Sequence, residues 1–170
     1  MRAGILTISD RSARAEREDL SGPAICQKAE SLGWQVVKAA VVSDDREEIE
    51  EILSAWADSA QVDLILTTGG TGFSPRDQAP EATLAVVERV APGLAEAMRA
   101  AGLKKTPHAM LSRAAAGIRG TTLIVNLPGS PSAALESLEV IVLALPHAID
   151  LLSQSPHAES GHDPRRDVHL

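Results

Sequence analysis

Between Leu64 and Thr83 the chain reads LILTTGGTGFSPRDQAPEAT. An apolar run gives way to Gly69, Gly70, Thr71 and Gly72, followed by Ser74, Arg76 and the carboxylate of Asp77. Glycines at this density let a backbone adopt positive φ and approach a ligand closely. The N–H groups of such a turn form a nest suited to phosphate. An isolated acid beside a phosphate cradle suits a nucleotide held together with a divalent ion. Elsewhere Ser9-Asp10-Arg11 and Ser43-Asp44-Asp45 supply further carboxylates, and Asn126-Leu127-Pro128-Gly129-Ser130 supplies a polar turn.

Each of these stretches follows an apolar strand candidate, over 3–9, 36–42, 62–68 and 121–126. Helical periodicity fills the intervals, over 23–32, 45–57, 80–90, 94–101 and 131–152, the last bent at Pro146. Strands alternating with helices predict an α/β fold: three layers, α/β/α, with a mostly parallel sheet covered on both faces. Ligands of such sheets bind at the carboxyl ends of the strands. Parallel pairing therefore brings all four polar stretches to one rim.

Each piece also has a plainer reading. Asp44 with Glu47 matches a capping box, and for Asp44 taken alone a helix cap is the stronger reading. Asp77 reads equally as a cap for the helix starting near Pro80. Arg76 and Arg113 have a plainer reading as solvated surface charges. The functional reading gains because the plain ones must all hold at one edge of one sheet.

Composition narrows the partners. A chain of 170 residues is expected to form one domain, here 1–152, with a polar, disordered tail over 153–170. Histidines 157, 162 and 169 in that tail fit no standard metal spacing. The net charge of −7 argues against nucleic acid, and the scarcity of aromatics (Trp34, Trp56, Phe73) argues against a base-stacking platform. No apolar run is long enough to span a membrane. The N-terminal stretch reads as a first strand rather than a signal peptide. The single Cys26 allows no internal disulfide and fits a reducing cytoplasm, as a packed core side chain.

Known phosphate motifs do not match. A Walker sequence needs Lys-Ser/Thr after its last glycine, where Phe73-Ser74 stands. The dinucleotide fingerprint lacks its third glycine. With no nucleophile elbow and no zinc motif, two carboxylates beside a glycine nest suit metal-assisted phosphoryl or nucleotidyl transfer.

The strings TISDR, TTGGTGFSPRDQAPEAT, LSR and NLPGSP closely resemble the MogA/MoaB family of molybdenum cofactor biosynthesis proteins, over 1–152. The resemblance implies a cytoplasmic homotrimer with molybdopterin adenylyltransferase activity. ATP and molybdopterin would give adenylylated molybdopterin and pyrophosphate with Mg²⁺, with transient contact to the molybdenum insertase. Ser43-Asp44-Asp45 and Arg76-Asp77 match the catalytically active branch. On that reading Asp44 and Asp77 are catalytic and hold Mg²⁺. The nucleotide lies on Gly69, Gly70, Thr71, Gly72, Ser74, Arg76 and Arg113. The pterin lies toward Ser9, Asp10, Asn126, Pro128, Gly129 and Ser130, and the charged segment 11–21 closes over the site. Two rivals use the same domain: a non-catalytic, MoaB-like molybdopterin carrier or scaffold, and a nucleotide hydrolase, whose relatives usually carry an extra domain.

Overall fold

In the computed structural model, which describes residues 1–154, Arg2–Ile8 (β1) and Leu64–Thr68 (β3) are buried at nearly every position. Continuous apolar runs of this kind belong to central parallel strands with helices on both faces. Chain order continues from β1 through α1 (Asp10–Ala13), α2 (Ser21–Ser31), β2 (Gln35–Val42), α3 (Arg46–Asp58), β3 and α4 (Ala79–Val86). Then come β4 (Arg89–Val90), α5 (Pro92–Leu103), a 3-10 turn (Pro107–Leu111), β5 (Ala116–Arg119), β6 (Thr122–Leu127), α6 (Pro131–Ile141) and α7 (Leu145–Leu152).

The sheet order is β2-β1-β3-β6-β5-β4. The first four strands run parallel, and β5 and β4 close the edge antiparallel. Alternate residues feed two cores. Ile5, Leu64, Leu66, Leu123 and Val125 face α2, α5, α6 and α7. Leu6, Ile65 and Ile124 face α3 and α4. The three-layer α/β/α expectation thus holds, and the carboxyl ends of β1, β2, β3 and β6 lie on one edge.

The chain departs from the expected elements where local signals were short. The helix expected over 80–90 stops at Val86 because Glu88 to Ala91 pair with β5: Glu88 N–H donates to Ile118 O at 2.8 Å and Ala91 N–H to Ala116 O at 2.8 Å. The β5–β6 hairpin, also unforeseen, turns through Gly120-Thr121 with Gly120 at φ +55°. The long final helix is two helices, interrupted after Ile141, with Pro146 in the first turn of α7 where its missing N–H costs nothing. Trp34 sits in the first core and Trp56 packs beside the second. Cys26 packs partly buried against the first. Residues 155–170 of the expected tail, with His157, His162 and His169, lie outside the described residues.

Candidate functional site

The chain leaves β1 toward β2 on one side and β3 on the other, so the ends of β1 and β3 border the switch point where open α/β sheets bind ligands. A polar cleft of about 530 Å³ opens there. Ser9 and Asp10 line it from the end of β1, Asp44 from β2, Gly69 and Gly70 from β3. Gly129 and Ser130 enter from β6, and Asp77 from the loop before α4.

Asp44 reaches the cleft because its neighbour takes the capping role. The Asp45 side chain accepts from Glu47 N–H at 3.0 Å and Glu48 N–H at 3.2 Å, which sets aside the plainer reading of Asp44 as the cap of α3. The Asp44 carboxylate instead accepts Asp10 N–H at 2.8 Å, and Asp10 accepts Asp44 N–H at 3.1 Å. Asp77 does not cap α4 either. Its Oδ2 accepts Ser74 N–H at 2.8 Å, closing a turn that holds the carboxylate beside Gly72. A Cβ on Gly72 would lie 2.9 Å from Asp77 Oδ2, and one on Gly70 would lie 3.4 Å from Asp44 Oδ1.

Burial, foremost, pushes the Asp44 carboxyl above its ordinary range; the charges of Asp10 and Asp77 push the same way, and the Asp10 N–H opposes. Asp10 is held low, chiefly by hydrogen bonds from Arg76 and then by the Asp44 N–H. Arg76 grips it with two prongs, Nε to Oδ2 at 3.0 Å and Nη2 to Oδ1 at 2.9 Å. Asp10 thus spends its charge on Arg76, while Asp44 has no cation in contact. Among the described residues no three His, Cys, Asp or Glu side chains make a ready metal cage. Mg²⁺ characteristically takes one or two carboxylates and completes its shell with substrate phosphates and water, so the Asp44–Asp77 wall fits it.

Gly69 has φ +100°, and a Cβ there would lie 2.2 Å from Ile8 O. Only glycine allows the β3 loop to pass this close to the end of β1. The Gly69 N–H donates to Leu127 O at 3.3 Å, so the first N–H of the expected nest is already engaged. Thr71, Gly72 and Pro128 do not face the polar cleft. They line a second, more apolar cavity of about 360 Å³ together with Met98 and Leu111, so the glycine loop is a partition between two cavities. Ser74 and Arg76 are exposed at the margin.

Two expected ligand contacts are structural instead. Asn126 is fully buried: its Nδ2 donates to Thr67 Oγ1 at 2.9 Å and Thr83 Oγ1 at 2.8 Å, and its Oδ1 accepts Ala115 N–H at 3.1 Å. Both of its N–H donors and its carbonyl oxygen are engaged inside the fold, and it does not line the cleft, so it ties β6 to β3 and α4. Arg113 donates Nε to Gly72 O at 2.7 Å, and its two Nη groups to Asp77 O and the Glu81 carboxylate. It braces the loop that presents Asp77 and does not line the polar cleft.

The residues the sequence did not single out are Arg14 and Arg17, which line the cleft with Arg11. Their spacing of three was the available signal. The segment expected as a loose lid begins as α1, capped by Ser9 Oγ accepting Ser12 N–H at 3.3 Å. It ends at Asp19, whose carboxylate accepts Thr7 Oγ1 at 2.7 Å and Ser21 N–H and Gly22 N–H at 3.0 Å each.

Known proteins resemble this chain along most of its length. Residues 4–147 match the family model described as a probable molybdopterin binding domain. The chain is 44% identical over 151 residues to a molybdopterin adenylyltransferase of Helicobacter pylori, covering 88% of this chain and 86% of that protein. It is 36% identical over 175 residues to the molybdopterin adenylyltransferase of Escherichia coli K12, covering 94% and 89%. The solved structure of the molybdopterin biosynthesis enzyme MoaB from Thermus thermophilus superposes with a TM-score of 0.86 at 50% identity, covering 91% of this chain and 98% of that one. By its family match, its curated relatives and its fold, the chain belongs to the MogA/MoaB family of molybdenum cofactor biosynthesis proteins.

Proposed function

We propose that this chain is a molybdopterin adenylyltransferase that transfers AMP from ATP to the terminal phosphate of molybdopterin and releases pyrophosphate. The observation that carries the reading is the meeting of Asp44 and Asp77 in one polar cleft beside Gly69 and Gly70. Similarity to the H. pylori and E. coli enzymes supplies the reaction. A phosphate oxygen of the pterin attacks the α-phosphorus of ATP, and the bond from that phosphorus to the bridging oxygen breaks. The electron pair leaves with pyrophosphate. The nucleophile is already anionic at neutral pH, so the chain needs no general base.

Its residues align and neutralise. The close turn at Gly69 and Gly70 admits the nucleotide against the backbone. Ser9, Asp10, Gly129 and Ser130 form the pterin side. Asp44 and Asp77 are the residues that would hold Mg²⁺, whose charge would offset that of the phosphates. Arg76 fixes Asp10, and Arg113 fixes the Gly72 and Asp77 carbonyls.

The working unit in this reading is a cytoplasmic homotrimer that passes its product to the molybdenum insertase. Exposed apolar side chains support an assembly surface: Leu143 is 91% exposed and Met110 61%. Among the described residues no helix is long and apolar enough to cross a membrane. The test is pyrophosphate release by the purified chain with ATP, Mg²⁺ and molybdopterin. Release that requires all three supports a transferase. Pterin binding without release makes it a carrier.

A further inference from the structure

Three arginines stand over the cleft with no role in the chemistry above. Arg11, Arg14 and Arg17 line it from one short segment, and all three are exposed. Among the described residues Arg11 and Arg17 make no side-chain hydrogen bond or ion pair, and Arg14 pairs with Glu16 at 3.2 Å in solvent and lies near enough to Asp10 to favour its charged form. Such a surface pair holds an arginine weakly.

The backbone under them is well tied. Glu16 N–H donates to Arg11 O at 2.8 Å and Arg17 N–H to the same oxygen at 3.2 Å, wrapping the chain back on α1. Ala15 takes φ +55° to make that turn, a conformation disfavoured for a residue with a Cβ. The Asp10–Asp44 exchange anchors one end and the Asp19 contacts anchor the other. Asp19 and Glu18 also line the cleft, but the Asp19 carboxylate is already saturated by Thr7, Ser21 and Gly22. The cleft therefore has an acidic wall, Asp44 and Asp77, and a pinned strap of underused guanidinium groups. Guanidinium forks suit phosphate oxygens better than any other protein cation.

Resting on the transferase reading, we propose that Arg11, Arg14 and Arg17 form a phosphate subsite of this cleft, receiving either the phosphate monoester of the pterin or the departing pyrophosphate. The strap sets where that anionic phosphate group sits and leaves the acidic wall to the nucleotide.

The experiment compares wild type, Arg14→Gln/Arg17→Gln, Arg14→Lys/Arg17→Lys, and a charge-matched control, Arg89→Gln/Lys104→Gln, after melting curves show that all fold. Inorganic pyrophosphate is titrated by calorimetry. The Gln pair is expected to weaken binding by about tenfold or more, the Lys pair less, and the control not at all. Steady-state kinetics separate the two sources. A raised KM for molybdopterin with KM for ATP unchanged assigns the monoester, and weakened product inhibition by pyrophosphate assigns the leaving group. The proposal is overturned if wild type does not bind pyrophosphate, if the Gln pair binds as wild type does, or if the control loses as much. Failure of wild type to release pyrophosphate from ATP would overturn the transferase reading but leave the titration result standing.

Discussion

Asp10 and Asp44, one from the end of β1 and one from the end of β2, each accept the other's backbone N–H, at 2.8 and 3.1 Å. The exchange locks two crossover units together at their carboxyl ends and gives two similar acids different fates. Asp10 is neutralised by Arg76. Asp44 stays half-buried near Asp77, with Arg76 acting on it only from a distance and no cation in hydrogen-bond contact. In the proposed transferase, Asp44 is the acid whose charge a bound divalent ion would offset.

Asp44→Asn separates function from stability. Asparagine keeps the acceptor for Asp10 N–H but loses the charge, so pyrophosphate release falls by about 10²–10³-fold. The folded pKa of Asp44 is raised, chiefly by burial, so its ionised form costs stability at neutral pH. That cost disappears as pH falls through the raised folded value. The variant therefore melts higher than wild type at pH 7, and the gap closes in acid. Scanning calorimetry across pH checks the sign.

Arg76→Ala gives the opposite pH trend. Asp10 has a lowered folded pKa, mainly through its hydrogen bonds from Arg76, so its contribution is present above the unfolded pKa and lost as pH falls through the folded one. The variant is slightly less stable than wild type at pH 7, and the two converge in acid. Melting curves at matched salt measure the difference, which high salt shrinks further.

Asn126→Ala is a stability variant, not a binding one. It leaves the buried Thr67 and Thr83 hydroxyls and the half-buried Ala115 N–H without their partner, at a cost of about 2–4 kcal/mol. Urea unfolding reads the loss. At a temperature where the variant remains folded, its KM for molybdopterin matches wild type.

Gly69→Ala forces a Cβ to within 2.2 Å of Ile8 O at φ +100°. Strain and clash together cost at least about 2 kcal/mol and push the β3 loop off the end of β1. Loss of both stability and ATP affinity is expected, whereas Gly33→Ala, at a positive φ but with open space around it, lowers stability alone. Urea unfolding with ATP titration distinguishes them.

The parallel strands and the rim they share were legible because long apolar runs ending in polar turns leave few topologies open. Asp44 was harder. Ser43-Asp44-Asp45 offers two candidate caps, and only the backbone angle at Asp45 decides which acid points to the helix and which to the cleft. Asn126 looked functional because it lies in a polar turn sequence, yet it sits buried near the end of β6, where two threonines take its N–H donors and Ala115 N–H its oxygen. Arg113 looked like a phosphate ligand, but its partners Gly72, Asp77 and Glu81 lie some 30 to 40 positions earlier in the chain, a distance that no local pattern encodes. The antiparallel edge was invisible for a simpler reason: β4 spans only Arg89–Val90, too short to show a period.

The most direct test is a crystal structure of the chain with a non-hydrolysable ATP analogue and Mg²⁺. The account predicts triphosphate density against Gly69 and Gly70, with the ion bound by Asp44 and Asp77 directly or through water. Nucleotide lodged in the apolar cavity behind Thr71, or an ion bound away from both acids, would contradict it.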